Sequence, residues 1–424
     1  MTAPAAAPVW ASMIGQPGAV EVLARAAQVA AQTVTGVAGL DLDLGLPADG
    51  AHGAPAAAAM THAWLFVGPA GSGRSIAARA FAAALECERP ATEGPPGCGS
   101  CAGCRTTLSG THADVRLVVP EGLSISTKEM RAIVGLSARM PSGGRWQVVL
   151  IEDADRLTEG ASNVLLKAIE EPPPRTVFLL CAPSTHPDDV MVTIRSRCRL
   201  VSLGTPATAD VAQVLAAAGA DPADARWAAA AAQGHVGRAR RLVRDPEARA
   251  RRAAVLAIPQ SLTSLRACLD AADQLVSAAE AEAKALAAEL DDEETEALKV
   301  ALGAGGTGRG SAAAVRGSAG QLKELERRQK SRATRVQRDA LDRALVDLAG
   351  FYRDVLLVQS RADRVQAAHP DLDDEVRAVA RAITPAGALD RLEAILACRT
   401  ALEQNVKPRI AIEALTAALR LPAG

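Results

Sequence analysis

Apolar residues in the first half of the chain fall in short unbroken runs: "AWLFV" (Ala63 to Val67), "DVRLVVP" (Asp114 to Pro120), "WQVVLIEDA" (Trp146 to Ala154), "TVFLLCA" (Thr176 to Ala182) and "RLVSL" (Arg199 to Leu203). Runs of this length without alternation predict strands covered on both faces. Between most of them the apolar spacing changes to that of helices, as in "RSIAARAFAAALE" and "GASNVLLKAIEE". The segment "STKEMRAIVGLSARM" opens on Ser126 with Glu129 three residues on, a capping box. Three prolines, Pro172 to Pro174, stop the helix that precedes them. Strands alternating with helices predict a mostly parallel sheet with helices on its faces, and a ligand site at the carboxyl ends of its strands.

After about residue 206 the strand-like runs cease. "TADVAQVLAAAG" and "PADARWAAAAAQGHVGRARRLV" read as two helices separated by Gly219 to Pro222, and everything beyond carries helical spacing. The pattern therefore predicts three domains: an α/β domain at 1–206, a small helical lid at 207–255 and an all-helical domain at 256–424. Two stretches lose periodicity and fill with small residues. Residues 32–61 predict a surface insertion, and "GAGGTGRGSAAAVRGSAG" (Gly303 to Gly320) predicts a mobile loop.

A chain of 424 residues can bury two or three separate cores. Aromatic residues make up only 2% of it, which argues against the stacking platforms of single-strand binders. With 47 basic and 48 acidic residues the net charge is -1, so the whole molecule exerts no strong pull on DNA or anionic membranes. The mixed run "RARRLVRDPEARARR" (Arg238 to Arg252) reads as a solvated helix face, because acids interrupt it, with contact to DNA phosphates as the alternative. Apolar runs stay short of about 18 residues and the start lacks a basic signal segment, so a cytoplasmic location is expected.

Three constellations carry candidate chemistry. "GPAGSGRS" supplies Gly68, Gly71, Gly73 and Ser75 in the spacing of a phosphate-binding loop between a strand and a helix, with Arg74 where lysine is usual. The glycines let backbone N–H groups converge on phosphate, and the Ser75 hydroxyl can ligate magnesium. Arginine keeps the charge but is planar and longer than lysine, so binding can survive where hydrolysis fades. The plainer reading is a glycine turn that binds nothing. Glu152 and Asp153 end the strand in "VVLIEDAD", where a pair of acids can hold magnesium and orient water; their order is the reverse of the usual Asp then Glu, which shifts both carboxylates. An acidic strand end without catalytic use is the alternative there.

Cys87-x10-Cys98-x2-Cys101-x2-Cys104 is the most specific signal: thiolates two residues apart can bite one tetrahedral Zn2+, and four sulfurs leave no open coordination position, so the role is structural. Cys181, Cys198, Cys268 and Cys398 lie scattered in apolar or helical contexts and read as buried thiols. Finally, "TIRSRC" places Ser196, Arg197 and Cys198 at a helix end, which on composition alone is a solvated basic terminus.

Together "GPAGSGRS", the cysteine knuckle after its helix, "LIEDADRLTEGASNVLLKAIEEPP" and "SRC", in this order, resemble the bacterial DNA polymerase III clamp-loader subunits of the AAA+ superfamily. With "MIGQPGAVEVL" and "HAWLFVGP" the resemblance spans most of residues 9–206. It implies an AAA+ nucleotide fold with an inserted zinc knuckle, a lid, and a helical collar for oligomerisation. It also implies assembly with gamma/tau and delta subunits into a heteropentamer that opens a sliding clamp and places it on primed DNA. In the family the arginine of "SRC" is a finger that reaches into a neighbour's nucleotide site, a role that falls here on Arg197, aimed by Ser196. The departures at Arg74 and at Glu152–Asp153 resemble the stator type of subunit, whose own ATP hydrolysis is weak or absent, more than the gamma/tau motor. The ending "NVKPRIAIEALTAAL" also resembles the stator's last collar helix. The alternatives are a gamma/tau-type motor ATPase and a general AAA+ remodelling ATPase; the knuckle weighs against the latter.

Overall fold

The computed structural model describes residues 7–34, 60–89, 93–120, 122–138, 140–301, 311–362 and 364–421. The chain divides into two compact units, one of Met1–Pro120, Ser124–Ala229 and Gly234–Ala239, the other of Glu121–Leu123, Ala230–Gln233 and Arg240–Gly424.

The first unit is built on five parallel strands: β1 (Ala63–Val67), β2 (Val115–Val118), β3 (Gln147–Ile151), β4 (Thr176–Ala182) and β5 (Arg199–Ser202), in the order β2-β3-β4-β1-β5. The central β1, β3 and β4 are buried along their whole length, as their unbroken apolar runs require. The edge strands β2 and β5 alternate with exposed positions and carry the arginines Arg116 and Arg199. Side chains leave β1 on alternate faces. Trp64 and Phe66 join Leu23 of α1 (Pro17–Val34) and Phe81 of α2 (Arg74–Leu85), while Ala63, Leu65 and Val67 join Met130 of α4 (Thr127–Ser137) and Leu165 of α5 (Glu159–Glu170). Between α2 and α4 lies the short α3 (Ala102–Leu108). Trp64 and Phe81 meet edge to face with ring centres 4.9 Å apart.

Local signals set the helix ends. The Ser126–Glu129 capping box forms with both of its hydrogen bonds, and α5 ends at Glu170, just before the proline run. The strand β1 pairs with β4 on one side and β5 on the other, neither its neighbour in sequence. Its carboxyl end is therefore a switch point, and the glycine loop leaves the sheet there.

Two local expectations change. "PADARWAAAAAQGHVGRARRLV" is not one helix but two, α8 (Pro222–Ala231) and α9 (Val236–Arg244), following α7 (Thr208–Ala217). The break falls at Gln233 (φ 49°) and Gly234 (φ 84°). A Cβ at Gly234 would lie 2.6 Å from the Pro206 carbonyl oxygen, so only glycine fits this close, left-handed turn. The second concerns Gly303 to Gly320. Residues 302–310 lie outside the described residues, as do 35–59 of the expected insertion at 32–61, but Ser311 onward is helix. Alanine-rich "SAAAVRGSAG" outweighs its two glycines, at about 1 kcal/mol each, once it continues into a long helix.

The second unit is helical among the described residues: α10 (Pro246–Ser261), α11 (Leu265–Ala301), α12 (Ser311–Gln359), α13 (Asp373–Ala382), α14 (Pro385–Glu403) and α15 (Pro408–Ala418). Leu341, Leu345, Leu348, Tyr352 and Val355 make one buried stripe of α12 against Ile395 of α14 and Ile412 of α15. Among the described residues no helix is long and apolar enough to cross a membrane.

Candidate functional site

The loop after β1 has the conformation its glycines permit. Gly71 (φ 86°) and Gly73 (φ 91°) are left-handed, and Gly73 caps α2. Gly68 has no room for a side chain, since a Cβ there would press on the Leu203 carbonyl and sit 2.6 Å from the Ser72 hydroxyl. A Cβ at Gly71 would come within 2.6 Å of the His235 side chain.

Arg74 opens α2, and its Nη1 donates back to the Gly68 carbonyl, across the loop itself. Ser75 follows it in the same first turn, half-buried. Beside the loop, Met13, Gln16, Ser72, Ile76, Pro206 and Val236 enclose a cavity of about 10 Å³, room for roughly one water molecule.

The acids of β3 reach the same end of the sheet. Glu152 Oε1 accepts from Arg79 Nε at 3.0 Å and Nη2 at 2.7 Å, so a cation of α2 already holds this carboxylate. Asp153 precedes the short 3-10 turn Ala154–Arg156 and lies 4.0 Å from Arg156. Burial, then the Asp153 charge, pushes the Asp155 carboxyl above its ordinary range. The Cys181 thiol on β4 is pushed up by burial and also feels Arg74, Glu152 and Asp153, which places these groups around one strand end. Cys181, Cys268 and Cys398 are buried thiols as expected, and Cys198 is half-buried.

Cys87, Cys98, Cys101 and Cys104 bring their sulfurs within 4.8 Å of one another, all as free thiols. A tetrahedral site with metal–sulfur bonds of about 2.3 Å has sulfurs about 3.8 Å apart, so small side-chain movements close it. Cys101 caps α3, which places Cys104 in that helix's first turn and both sulfurs on one side. Backbone N–H groups point at the sulfurs: Cys101 N to Cys98 Sγ at 3.3 Å, Cys104 N and Glu88 N to Cys101 Sγ at 3.4 Å each. A side-chain hydrogen bond between Cys87 and Cys104 lowers the Cys87 thiol below its ordinary range and pushes Cys104 up. A thiolate-forming, N–H-lined cluster of four cysteines could hold a metal such as zinc.

Arg197 is placed elsewhere, in the turn between α6 (Val192–Arg195) and β5. Its Nη2 lies 2.8 Å from Glu170 Oε1, and its side chain is 35% exposed. Ser196 Oγ donates to the Thr193 carbonyl at 2.9 Å and ties the same turn down. The structure thus gathers Arg74, Glu152 and Asp153 at one end of the sheet, whereas Arg197 has its contacts with Glu170, Thr193 and Ser196.

The model of the family described as "DNA polymerase III, delta subunit" matches residues 53–207, which take in the glycine loop, the cysteines, the acids and Arg197. This part of the chain is similar to the DNA polymerase III delta'/tau family. Within this delta'/tau family, the DNA polymerase III subunit delta' of Pseudomonas aeruginosa is 39% identical over 167 residues, 39% of this chain and 50% of that protein. Subunit delta' of Escherichia coli K12 is 36% identical over 151 residues, 34% of this chain and 43% of its own length. Subunit tau of Bacillus subtilis is 36% identical over 139 residues, 33% of this chain and 24% of that protein. The chain thus spans half or less of the length of these curated relatives. The likeness accords with the parallel sheet and its four-cysteine cluster, an α/β domain followed in the chain by a helical region.

Sequence reasoning missed Gln16, which ties the entry segment to the strand ends. Its Nε2 donates to the Gly204 carbonyl at 2.6 Å, and its Oε1 accepts from Gly204 N at 3.2 Å. Its place in "MIGQP", a lone amide between glycine and proline ahead of a helix, is the one local signal, and it does not reveal the partner 188 residues away.

Proposed function

We propose that the chain serves as the delta' (delta-prime) stator of a bacterial clamp loader. It assembles with gamma/tau and delta subunits in a heteropentamer that loads a sliding clamp onto primed DNA, in the cytoplasm. Arg197 is the finger presented to a neighbouring motor's ATP, with Ser196 fixing the turn that aims it. Positive charge there stabilises the developing phosphate charge and is worth on the order of 1,000-fold or more at the site it reaches. The division into a nucleotide domain (1–206), a lid (207–255) and a collar (256–424) belongs to the same reading.

The observation that carries the stator assignment is the internal engagement of the chain's own catalytic groups. Arg74 bonds the loop's own Gly68 carbonyl, and Glu152 is held twice by Arg79. A lysine-like contact to phosphate and a carboxylate contact to magnesium would each compete with these internal bonds at Arg74 Nη1 and Glu152 Oε1. The cradle of Gly68, Gly71, Gly73, Arg74 and Ser75, with Glu152 and Asp153, therefore binds ATP and magnesium weakly and does not turn ATP over at a motor's rate. Cys87, Cys98, Cys101 and Cys104 hold one structural Zn2+, which braces the segment between α2 and β2.

ATP turnover by the purified chain alone tests the assignment. Turnover no faster than the uncatalysed background is expected. Rapid magnesium-dependent turnover abolished by Arg74→Ala would support the gamma/tau-type motor instead.

A further inference from the structure

Arg197 has both terminal nitrogens turned toward its own chain. Nη2 lies 2.8 Å from Glu170 Oε1, and Nη1 donates to the Thr193 carbonyl at 3.1 Å and to Ser196 Oγ at 3.3 Å. The geometry follows from two sequence-encoded stops. Glu170 is the last residue of α5, with the Pro172–Pro174 run just beyond, and α6 lasts only four residues, so the two helix ends present an acid and a base to each other. One of the carbonyls at the end of α6, that of Thr193, accepts from the guanidinium, at a helix end where a cation is favoured.

We propose that Glu170 sheaths Arg197, holding the finger against its own chain until a neighbour's polyphosphate displaces the carboxylate. The proposal rests on the finger reading above. A prop would leave the two terminal nitrogens pointing outward with Glu170 behind the guanidinium, whereas here both already have partners on the inward side. The two side chains are 35% and 41% exposed. At that exposure an ion pair biases an equilibrium by a factor of about two to five, enough to favour the sheathed arrangement. A triphosphate carries several charges and can accept both arms of the guanidinium, so it outcompetes one carboxylate oxygen. Ser196 and Thr193 stay in place during the exchange, which needs only rotation of the Arg197 side chain.

Two measurements on Glu170→Gln test this. In the isolated full-length chain, modification of Arg197 by phenylglyoxal, followed by peptide mass spectrometry, is expected to speed up about two- to five-fold. Arg266, whose side chain is 91% exposed, serves as the internal reference and is expected to react unchanged. In the reconstituted complex, DNA-stimulated ATP turnover is expected to rise by up to the same factor. In the Arg197→Ala background, adding Glu170→Gln is expected to change nothing, since Glu170 acts only through the finger. A rise in turnover is a readout that damage to the fold does not produce. Unchanged Arg197 reactivity, or turnover that is unchanged or falls in Glu170→Gln, overturns the sheath. If Arg197→Ala leaves turnover intact, the finger reading itself fails, while the reactivity arm still reports separately on the ion pair.

Discussion

Asp114, just before β2, offers a quantitative check on how the first unit is held together. Its carboxylate accepts from Ser142 N and Ser142 Oγ at 2.8 Å each and from Gly143 N at 3.0 Å, and the Gly144 N–H also points at it. Burial alone would raise this group, but the N–H and hydroxyl donors outweigh it and bring the carboxyl from 3.8 down to about 2. At about 1.4 kcal/mol per unit, that depression contributes roughly 2 to 3 kcal/mol to folding at neutral pH. The sign follows from the direction: the contribution is present above the unfolded value and is lost as pH falls through about 2. Asp114→Ala also orphans three backbone N–H groups, so its total cost is expected at about 3 kcal/mol, or roughly 1 M in urea midpoint. The four tryptophans, Trp10, Trp64, Trp146 and Trp227, all belong to the first unit, so their fluorescence follows its unfolding. The difference between wild type and Asp114→Ala is expected to shrink between about pH 4 and pH 2. Equal midpoints at pH 7, or a difference that persists unchanged at pH 2, would refute the reasoning.

Metal analysis of the chain purified without chelator is expected to find about one zinc per chain, and Cys101→Ser to lose it; less than half an equivalent counts against the knuckle. Gly73→Ala meets open space and suffers only its left-handed φ, a cost of about 1 kcal/mol, whereas Gly68→Ala must displace the Leu203 carbonyl and is expected to cost several times as much. Equal urea midpoints for the two glycine variants would contradict the loop geometry.

What the sequence revealed and what it hid have physical causes. The strands β1, β3 and β4 were legible because strands covered on both faces need unbroken apolar runs, and the short runs of β2 and β5 matched their edge positions. The glycine loop and the four-cysteine cluster were legible because both chemistries fix residue spacing along the chain. The Gln16 clamp was not, since its partner Gly204 lies 188 residues away and an amide-to-backbone contact leaves no periodic trace. Arg79 on Glu152 and Glu170 on Arg197 are likewise products of folding, and they change how Arg74, Glu152 and Arg197 read. The break at Gln233–Gly234 was hidden by alanine, which is helical in almost any context. Conversely, the glycines of 311–320 masked a helix that its alanines support.

The central claim is that the chain's catalytic contribution goes to a neighbour through Arg197 while its own loop stays silent. DNA-stimulated ATP turnover of the reconstituted complex, compared between Arg197→Ala and Arg74→Ala, tests it most directly. The account predicts that Arg197→Ala lowers turnover at the site it reaches about 1,000-fold, removing that site's share of the total, and that Arg74→Ala leaves turnover unchanged. Full turnover with Arg197→Ala, or its loss with Arg74→Ala, would contradict it.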